Sequence, residues 1–268
     1  MPLLRRGYGH TDVGRRRSSN EDAFVVDDTL GLYVVADGMG GHSAGEIASQ
    51  QAIETLHNMI MREREALTEL EQLHSDHDAR DPDEQIATSA VARRAQRILE
   101  SAVQHATYMV FGMAENDPER KGMGTTLSAL FLCGDIGLTA QVGDSRVYRV
   151  RGDAAVQITE DHTLIAWQLK QGMITEEEAR NSPQKNVITR AVGSRDYVQV
   201  DSRCLHVEAG DTFLLCSDGV HGYFEADELA QVMTVGAQAA PRRLVELANQ
   251  RGGRDNLTAI AVELMRPE

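Results

Sequence analysis

Apolar residues along this chain follow two rhythms. In one, short runs stay apolar over a strand's length: "LYVVA" at 32–36, "LSALFL" at 127–132, "TFLLC" at 212–216 and "NLTAIAVEL" at 256–264. These runs favour Val, Ile, Leu and Phe and are bounded by Gly, Asp or Asn, which predicts strands. "GYGHTDVG" and "EDAFVVDD" before the turn "DTLG" read the same way, as do "GLTAQVG", "SRVYRVRG", "AVQIT" and "VDSRCLHV". In the other rhythm apolar positions recur at helical spacing. Ile47, Ala48, Ala52, Ile53, Leu56, Met59 and Ile60 predict a helix from Ser43 to about residue 63, opened by a Ser43–Glu46 capping box. Ala95, Ile98, Leu99, Ala102, Val103, Ala106 and Val110 predict a second helix over about 85–113. A mixed helical segment is expected at 160–192, and helices near 225–235 and 240–251. The charged stretch "LTELEQLHSDHDARDPDEQ" reads as a helix end and an exposed loop, and its "HSDHD" as solvated side chains rather than a metal cluster.

The order is strands, two long helices, strands, two helices, strand. Strands joined by short turns, with helices in separate blocks, indicate an α+β fold rather than βαβ repeats. Two antiparallel sheets packed face to face, with a helix pair on each outer face, would bury every apolar surface. No Pro/Gly/Ser-rich linker interrupts the 268 residues, so a single domain over 1–268 is expected.

Composition narrows the function. The formal net charge of −14 repels nucleic acid and anionic membranes, and "GRRRSS" at 14–19 is the local basic exception. No apolar run is long enough to span a bilayer, and no apolar segment follows the first arginines as in a signal peptide, so a cytoplasmic protein is expected. Cys133, Cys204 and Cys216 form no CxxC pair and read as reduced core residues.

The chemistry sits at the ends of the apolar runs. "YVVADG" ends in Asp37-Gly38, "FLLCSDG" in Asp218-Gly219 and "TAQVGD" in Asp144. "GGRDN" puts Asp255 before the final strand, and "SSNEDAF" puts Glu21 and Asp22 at the start of one. A single such aspartate is an ordinary turn residue. Five sites, two of them the same strand-Asp-Gly construction, point to convergence. Gathered carboxylates repel one another unless cations or protons fill the cluster. Hard oxygen ligands on rigid strand ends suit Mg²⁺ or Mn²⁺, and glycine after aspartate lets a backbone carbonyl approach the ion. Two such ions sharing an activated water act on phosphate esters.

"RSSNEDAF", "VVADGMGGHSAGEIAS", "GMGTTLSAL", "AQVGDSRVYRV", "ITEDHTL", "NVITRAVG", "LLCSDGVHGYF" and "GGRDNLTAIAVEL" together resemble, in order and over about residues 7–264, the metal-dependent protein phosphatases of the protein phosphatase 2C family, in its bacterial branch. The resemblance implies a four-layer αββα sandwich with the metal centre at one end between the sheets. It implies hydrolysis of phosphoserine and phosphothreonine in proteins by a water activated between two Mn²⁺ or Mg²⁺ ions, with a weaker third ion. Asp37 would bridge the core ions and the Gly38 carbonyl would ligate one. Glu21 or Asp22 would contact the centre, Asp218 and Asp255 would hold the first ion, and Asp144 with Asp218 the third. Arg17 would bind the phosphate. A flap subdomain is implied at about 162–195, in which Lys185 and Arg190 are candidates for phosphopeptide contact and Trp167 for packing. Eukaryotic members have histidine where this chain has Met39, so neither His42 nor His162 is assigned as the proton donor. The partners implied are phosphorylated proteins and the serine/threonine kinases that make them, and a monomer is expected. The rival readings are a phosphoprotein-binding pseudophosphatase, whose signature would be lost metal aspartates, and a dimetal phosphodiesterase.

Overall fold

A computed structural model describes residues 3–40, 44–72 and 82–267. Gly41, His42, Ser43 with its expected capping box, and the "HSDHD" stretch lie outside the described residues. The chain opens with β1 (Leu4–Asp12), β2 (Asp22–Asp27) and β3 (Leu32–Met39), followed by α1 (Ala44–Arg62), α2 (Arg64–Thr68), α3 (Pro82–Thr88) and α4 (Ala90–Asn116). Then come β4 (Gly124–Thr125), β5 (Leu127–Cys133), β6 (Ile136–Val142), β7 (Arg146–Arg151) and β8 (Ala154–Gln157). The remainder is α5 (Leu164–Lys170), α6 (Glu176–Asn181), β9 (Asp201–His206), β10 (Thr212–Cys216), α7 (Asp218–His221), α8 (Ala226–Met233), α9 (Ala240–Gln250) and β11 (Leu257–Met265).

The strands form two antiparallel sheets. One runs β1-β11-β10-β7-β8; the other runs β2-β3-β5-β6-β9, with β4 paired to β3. Their continuous apolar runs have a direct cause. In β3, Tyr33 and Val35 point into the layer between the sheets, where they meet Val147, Phe213, Leu215 and Ile260. Leu32, Val34 and Ala36 point the other way, onto Leu56, Ile60, Leu99 and Val103 of α1 and α4. β10 and β11 divide similarly, with Leu214, Cys216, Ala259 and Ala261 facing Leu229, Leu244 and Val245 of α8 and α9. A strand covered on both faces has no solvent side, so strict alternation disappears from its sequence. The result is four layers: helices, sheet, sheet, helices.

Three local expectations change. The helix expected over 85–113 is two helices broken at Ser89, whose extended backbone (φ −63°, ψ 138°) and hydroxyl, accepting from Val91 N–H at 3.2 Å, make it the N-cap of α4. β3 runs on through Asp37 and Gly38 to Met39, because Gly38 and Met39 pair with Thr125 and Gly124 of β4. Asp218, expected at the end of a strand, is instead the first residue of the one-turn helix α7, since β10 stops at Cys216.

Candidate metal centre

At one end of the sandwich, segments from both sheets are stitched together by hydrogen bonds. Asp37 is fixed through its backbone. Its N–H donates to Thr126 Oγ1 at 2.9 Å, and its carbonyl accepts from Thr125 Oγ1 and from Thr126 N–H, each at 2.9 Å. Asp22 is its direct partner across the β2–β3 ladder. One Asp22 oxygen accepts from Ser217 Oγ at 2.8 Å, and that same hydroxyl accepts from Thr258 N–H at 3.1 Å. Ser217 thus ties a carboxylate of one sheet to β11 of the other, immediately before Asp218. The Asp144 carbonyl accepts from His221 Nε2 of α7 at 2.9 Å, which fixes the tautomer with the proton on Nε2.

Two glycines permit this closeness. A Cβ on Gly38 would lie 2.1 Å from the Gly45 carbonyl oxygen, and one on Gly45 would lie 2.1 Å from Glu21 Oε2. The first turn of α1 therefore packs directly on the end of β3. Gly38 is required by this contact as well as by any approach of its carbonyl to an ion.

The charges of these carboxylates bear on one another. Asp37 is held well above the usual carboxylate range, first by burial and then by the charges of Asp22, Asp218, Asp144 and Asp255. Burial, offset by the Ser217 and Thr258 hydrogen bonds and reinforced by Asp218, pushes Asp22 up to about 7. Burial and Asp218 push Asp144 up to about 7. Asp218 is raised by burial and by Asp255, and Glu21 by burial against the opposing charge of Arg17. Five separate chain segments, carrying Glu21, Asp22, Asp37, Asp144, Asp218 and Asp255, thus bring their charges together.

The donors fit hard divalent cations. Asp22 Oδ1 and Asp218 Oδ1 are buried with no hydrogen-bond partner among the described residues, an expensive state that a cation would relieve. The oxygens are carboxylates and a backbone carbonyl, with no thiolate and no imidazole nitrogen among them, as Mn²⁺ or Mg²⁺ prefers. Among the described residues no three of these groups already close into a cage around one point.

Arg17 stands at the mouth of this cluster. It is half-exposed and pairs with Asp255 Oδ2 at 2.9 Å. Its loop is held by Asn256, a residue that the sequence reading passed over in favour of Asp255 beside it. The Asn256 amide donates to the Val13 carbonyl at 3.0 Å and the Ser19 carbonyl at 2.8 Å, while its oxygen accepts from Glu21 N–H at 2.8 Å. One buried side chain therefore pins both ends of the Arg17 loop. Asn256→Ala leaves three polar groups unpaired and should cost about 2 kcal/mol of stability. It should also raise KM for a phosphorylated substrate in the same sense as Arg17→Ala, by about tenfold if the charge-assisted phosphate contact is lost. Thermal melts and initial rates check both effects.

Segment 162–195 is anchored at both ends. His162 N–H donates to the Gly143 carbonyl at 2.9 Å, and Thr125 and Val192 exchange backbone hydrogen bonds beside β3. His162 is buried, with Nδ1 accepting from Gly143 N–H at 3.1 Å and Nε2 on Asp201 at 3.1 Å. Burial, against the pull of Asp201, lowers its pKa. Arg190, a candidate for phosphopeptide contact, is paired with Asp201 at 2.6 Å. Trp167, expected to pack, is half-exposed on α5 because its helix buries only Ile165. A cleft of about 500 Å³ between this segment and β9, lined by Glu160, Lys170, Asp201 and Arg203, contains none of the clustered carboxylates above.

Comparison with known proteins agrees with this geometry. A serine/threonine phosphatase of Listeria innocua is 33% identical over 258 residues, covering 94% of this chain and 93% of that protein. The crystal structure of the Mycobacterium tuberculosis serine/threonine phosphatase PstP/Ppp superposes with a TM-score of 0.81 at 31% identity, covering 98% of this chain and 100% of that one. The catalytic domain of PstP in complex with two manganese ions superposes with a TM-score of 0.79 at 30% identity over 98% of this chain and 100% of that one. Residues 6–259 match the family model described as protein phosphatase 2C, and the chain belongs to that family.

Proposed function

We propose that the chain is a metal-dependent protein serine/threonine phosphatase, acting on phosphoserine and phosphothreonine in proteins and opposing bacterial serine/threonine kinases. The observation that carries this reading is the pair of buried, unpartnered oxygens on Asp22 and Asp218, set among further carboxylates and next to an arginine at the surface. The Listeria and mycobacterial proteins named above support the class of activity, and the two manganese ions of the PstP complex support the choice of cofactor.

Asp37 would contact both core ions, with the Gly38 carbonyl beside it. Asp218 and Asp255 would hold one ion, and Asp144 with Asp218 a weaker third. Between the two candidates next to β2, burial and the orphaned oxygen favour Asp22 over Glu21 for direct contact. When bound, the ions supply positive charge to the phosphoryl oxygens and lower the pKa of a water that attacks phosphorus. The protein contributes rigidity. The backbone bonds of Asp37 and the Asp22–Ser217–Thr258 link remove the freedom to reorganise during the reaction. Arg17, whose planar fork matches two phosphoryl oxygens, would bind and orient the substrate. His162 has both ring nitrogens engaged and is given no proton-transfer role. Cys133, Cys204 and Cys216 are buried and form no disulfide among the described residues, which suits a reducing, cytoplasmic setting.

The test is release of phosphate from a phosphothreonine peptide by chelator-treated protein, with and without added Mn²⁺. Activity that appears only with Mn²⁺ supports the proposal. A folded, Mn²⁺-loaded protein that binds the peptide without turnover would identify a phosphoprotein-binding module instead. Turnover of phosphodiesters in preference to the peptide would identify the phosphodiesterase.

A further inference from the structure

The basic tripeptide at 15–17 is only partly accounted for by Arg17. Arg15 and Arg16 are exposed. Unlike Arg17 with Asp255, Arg94 with Glu69 or Arg251 with Glu228, neither has an ion-pair partner among the described residues. Arg254, on the neighbouring loop, is likewise exposed and unpaired, its backbone N–H donating to Tyr223 Oη at 2.9 Å.

These arginines share one rim. Arg15 N–H donates to the Gly253 carbonyl at 2.7 Å, so the 13–19 loop and the 252–255 loop lie side by side. The Arg15 stem covers Gly253, where a Cβ would come within 2.8 Å of its Cγ. The Arg254 stem lies along Gly252, where a Cβ would be 3.9 Å from its Cγ. Arg17 and Asp255 form their ion pair between the two.

The rim is also held in place. Asp12 Oδ1 accepts from Gly14 N–H at 2.8 Å and from Asn249 of α9 at 3.0 Å. Gly14 adopts a φ of +82°, with no room for a Cβ against the Asp255 carbonyl oxygen. Asn256 pins both loop ends, as described above. The arginine side chains are therefore displayed from a fixed backbone at the edge of a centre whose own excess charge is negative.

The charge of Arg17 bears on Glu21 and Asp218, whereas that of Arg15 bears on Asp12, at the end of β1. A phosphoryl group bound by Arg17 would leave Arg15, Arg16 and Arg254 facing whatever flanks the phosphorylated residue. An extended peptide advances about 3.3 Å per residue, so side chains one to three positions away fall within the reach of an arginine.

We propose that Arg15, Arg16 and Arg254 form a specificity rim that selects phosphoserine or phosphothreonine segments carrying a further anionic group, Asp, Glu or a second phosphoryl, within about three residues. This rests on the phosphatase reading above and adds a substrate class to it. The observations favour a peptide over nucleic acid or an anionic membrane. The rim is local, and the chain as a whole, with 41 acidic against 27 basic side chains, repels a large polyanion.

The experiment uses the Mn²⁺-loaded protein and three phosphothreonine peptides of one length: neutral flanks, Asp/Glu flanks on either side, and a second phosphothreonine two residues away. Both kcat/KM and Kd from fluorescence anisotropy are measured for the wild type, Arg15→Ala/Arg16→Ala and Arg254→Ala, with p-nitrophenyl phosphate as a substrate lacking flanks. The wild type should favour the anionic peptides by about tenfold, through KM and Kd, as two or three exposed ion pairs would give. The preference should shrink at high salt and largely vanish in the double variant, with p-nitrophenyl phosphate rates unchanged. The Asp/Glu and diphosphorylated arms separate a carboxylate-reading rim from one that needs a second phosphate. Equal kcat/KM and Kd for all peptides in the wild type would overturn the proposal, as would a preference that survives in the variants. So would variants that lose only binding to anionic vesicles or RNA. No turnover of any phosphoester with Mn²⁺ would instead defeat the phosphatase reading, and the Kd series would still decide the rim.

Discussion

Asp37→Asn should lower turnover of a phosphothreonine peptide by at least about a thousandfold while raising the melting temperature of the chelator-treated protein. The two effects have one origin. Asp37 lies where four other carboxylates raise its pKa and burial opposes its charge. In the metal-free protein that charge is a liability, and asparagine removes it while keeping the shape. With ions bound, the same charge holds them, and asparagine cannot replace it. Its backbone bonds to Thr125 and Thr126 involve no side-chain atom of Asp37, so they survive the substitution. Activity and metal-free melts on the same preparation check both effects. Turnover near the wild-type rate would refute the role of Asp37, and an unchanged or lower metal-free melting temperature would refute the account of its strain.

The second large effect is that the metal-free protein should lose stability as pH rises from about 6.5 to 8, and that saturating Mn²⁺ should reverse the trend. Asp22 and Asp144, ordinarily at 3.8, are pushed up to about 7 in the folded chain. A raised folded pKa means that the folded state binds more protons, so stability is present at low pH and is lost as pH climbs through the folded value. Below about 6.5 the loss is partly offset. Burial and the nearby Arg146 lower His221 to about 3, and such a neutral histidine gains stability with pH up to its unfolded value of 6.5. Above that value the carboxylates act alone. Between pH 6.5 and 8 the loss is about 1 kcal/mol from each of Asp22 and Asp144, with Asp37 adding in the same direction. That corresponds to a fall in Tm of roughly 5 °C or more. Bound Mn²⁺ requires the deprotonated carboxylates, so its contribution grows over the same range. Melts from pH 5.5 to 8.5, with chelator and with Mn²⁺, give the answer. A metal-free Tm that stays flat or rises above pH 6.5 would remove the carboxylate cluster as a source of strain.

The sequence showed what repeats and what is long. β3, β5, β10 and β11 are legible because strands covered on both faces are apolar throughout, and α1 and α4 because their buried faces recur over many turns. The acidic residues were found because each interrupts such a run. What escaped was short or depended on distant partners. α7 has only four residues, too few for a period, and it follows β10 after a single residue, so Asp218 read as a strand end. Ser89 lies inside a helical pattern, and nothing nearby announces that its backbone turns extended. Ser217 and Asn256 act through hydrogen bonds to residues about 195 and 237 positions away, and no spacing rule encodes those contacts. Arg190 looked available in the sequence because Asp201, its partner, belongs to the next strand.

The final strand bears on how this protein comes to life. β11 sits between β1 and β10, and its leading loop carries Asp255 and Asn256. Until β11 docks, β1 has no neighbour in its sheet, the Arg17 loop has no clamp, and the cluster lacks one of its carboxylates. Contacts that span nearly the whole chain form slowly, because so much of it must first be ordered. A chain whose β11 has not yet docked could have both helix pairs in place and yet no working centre. Competence would therefore arrive in one late step, the docking of β11.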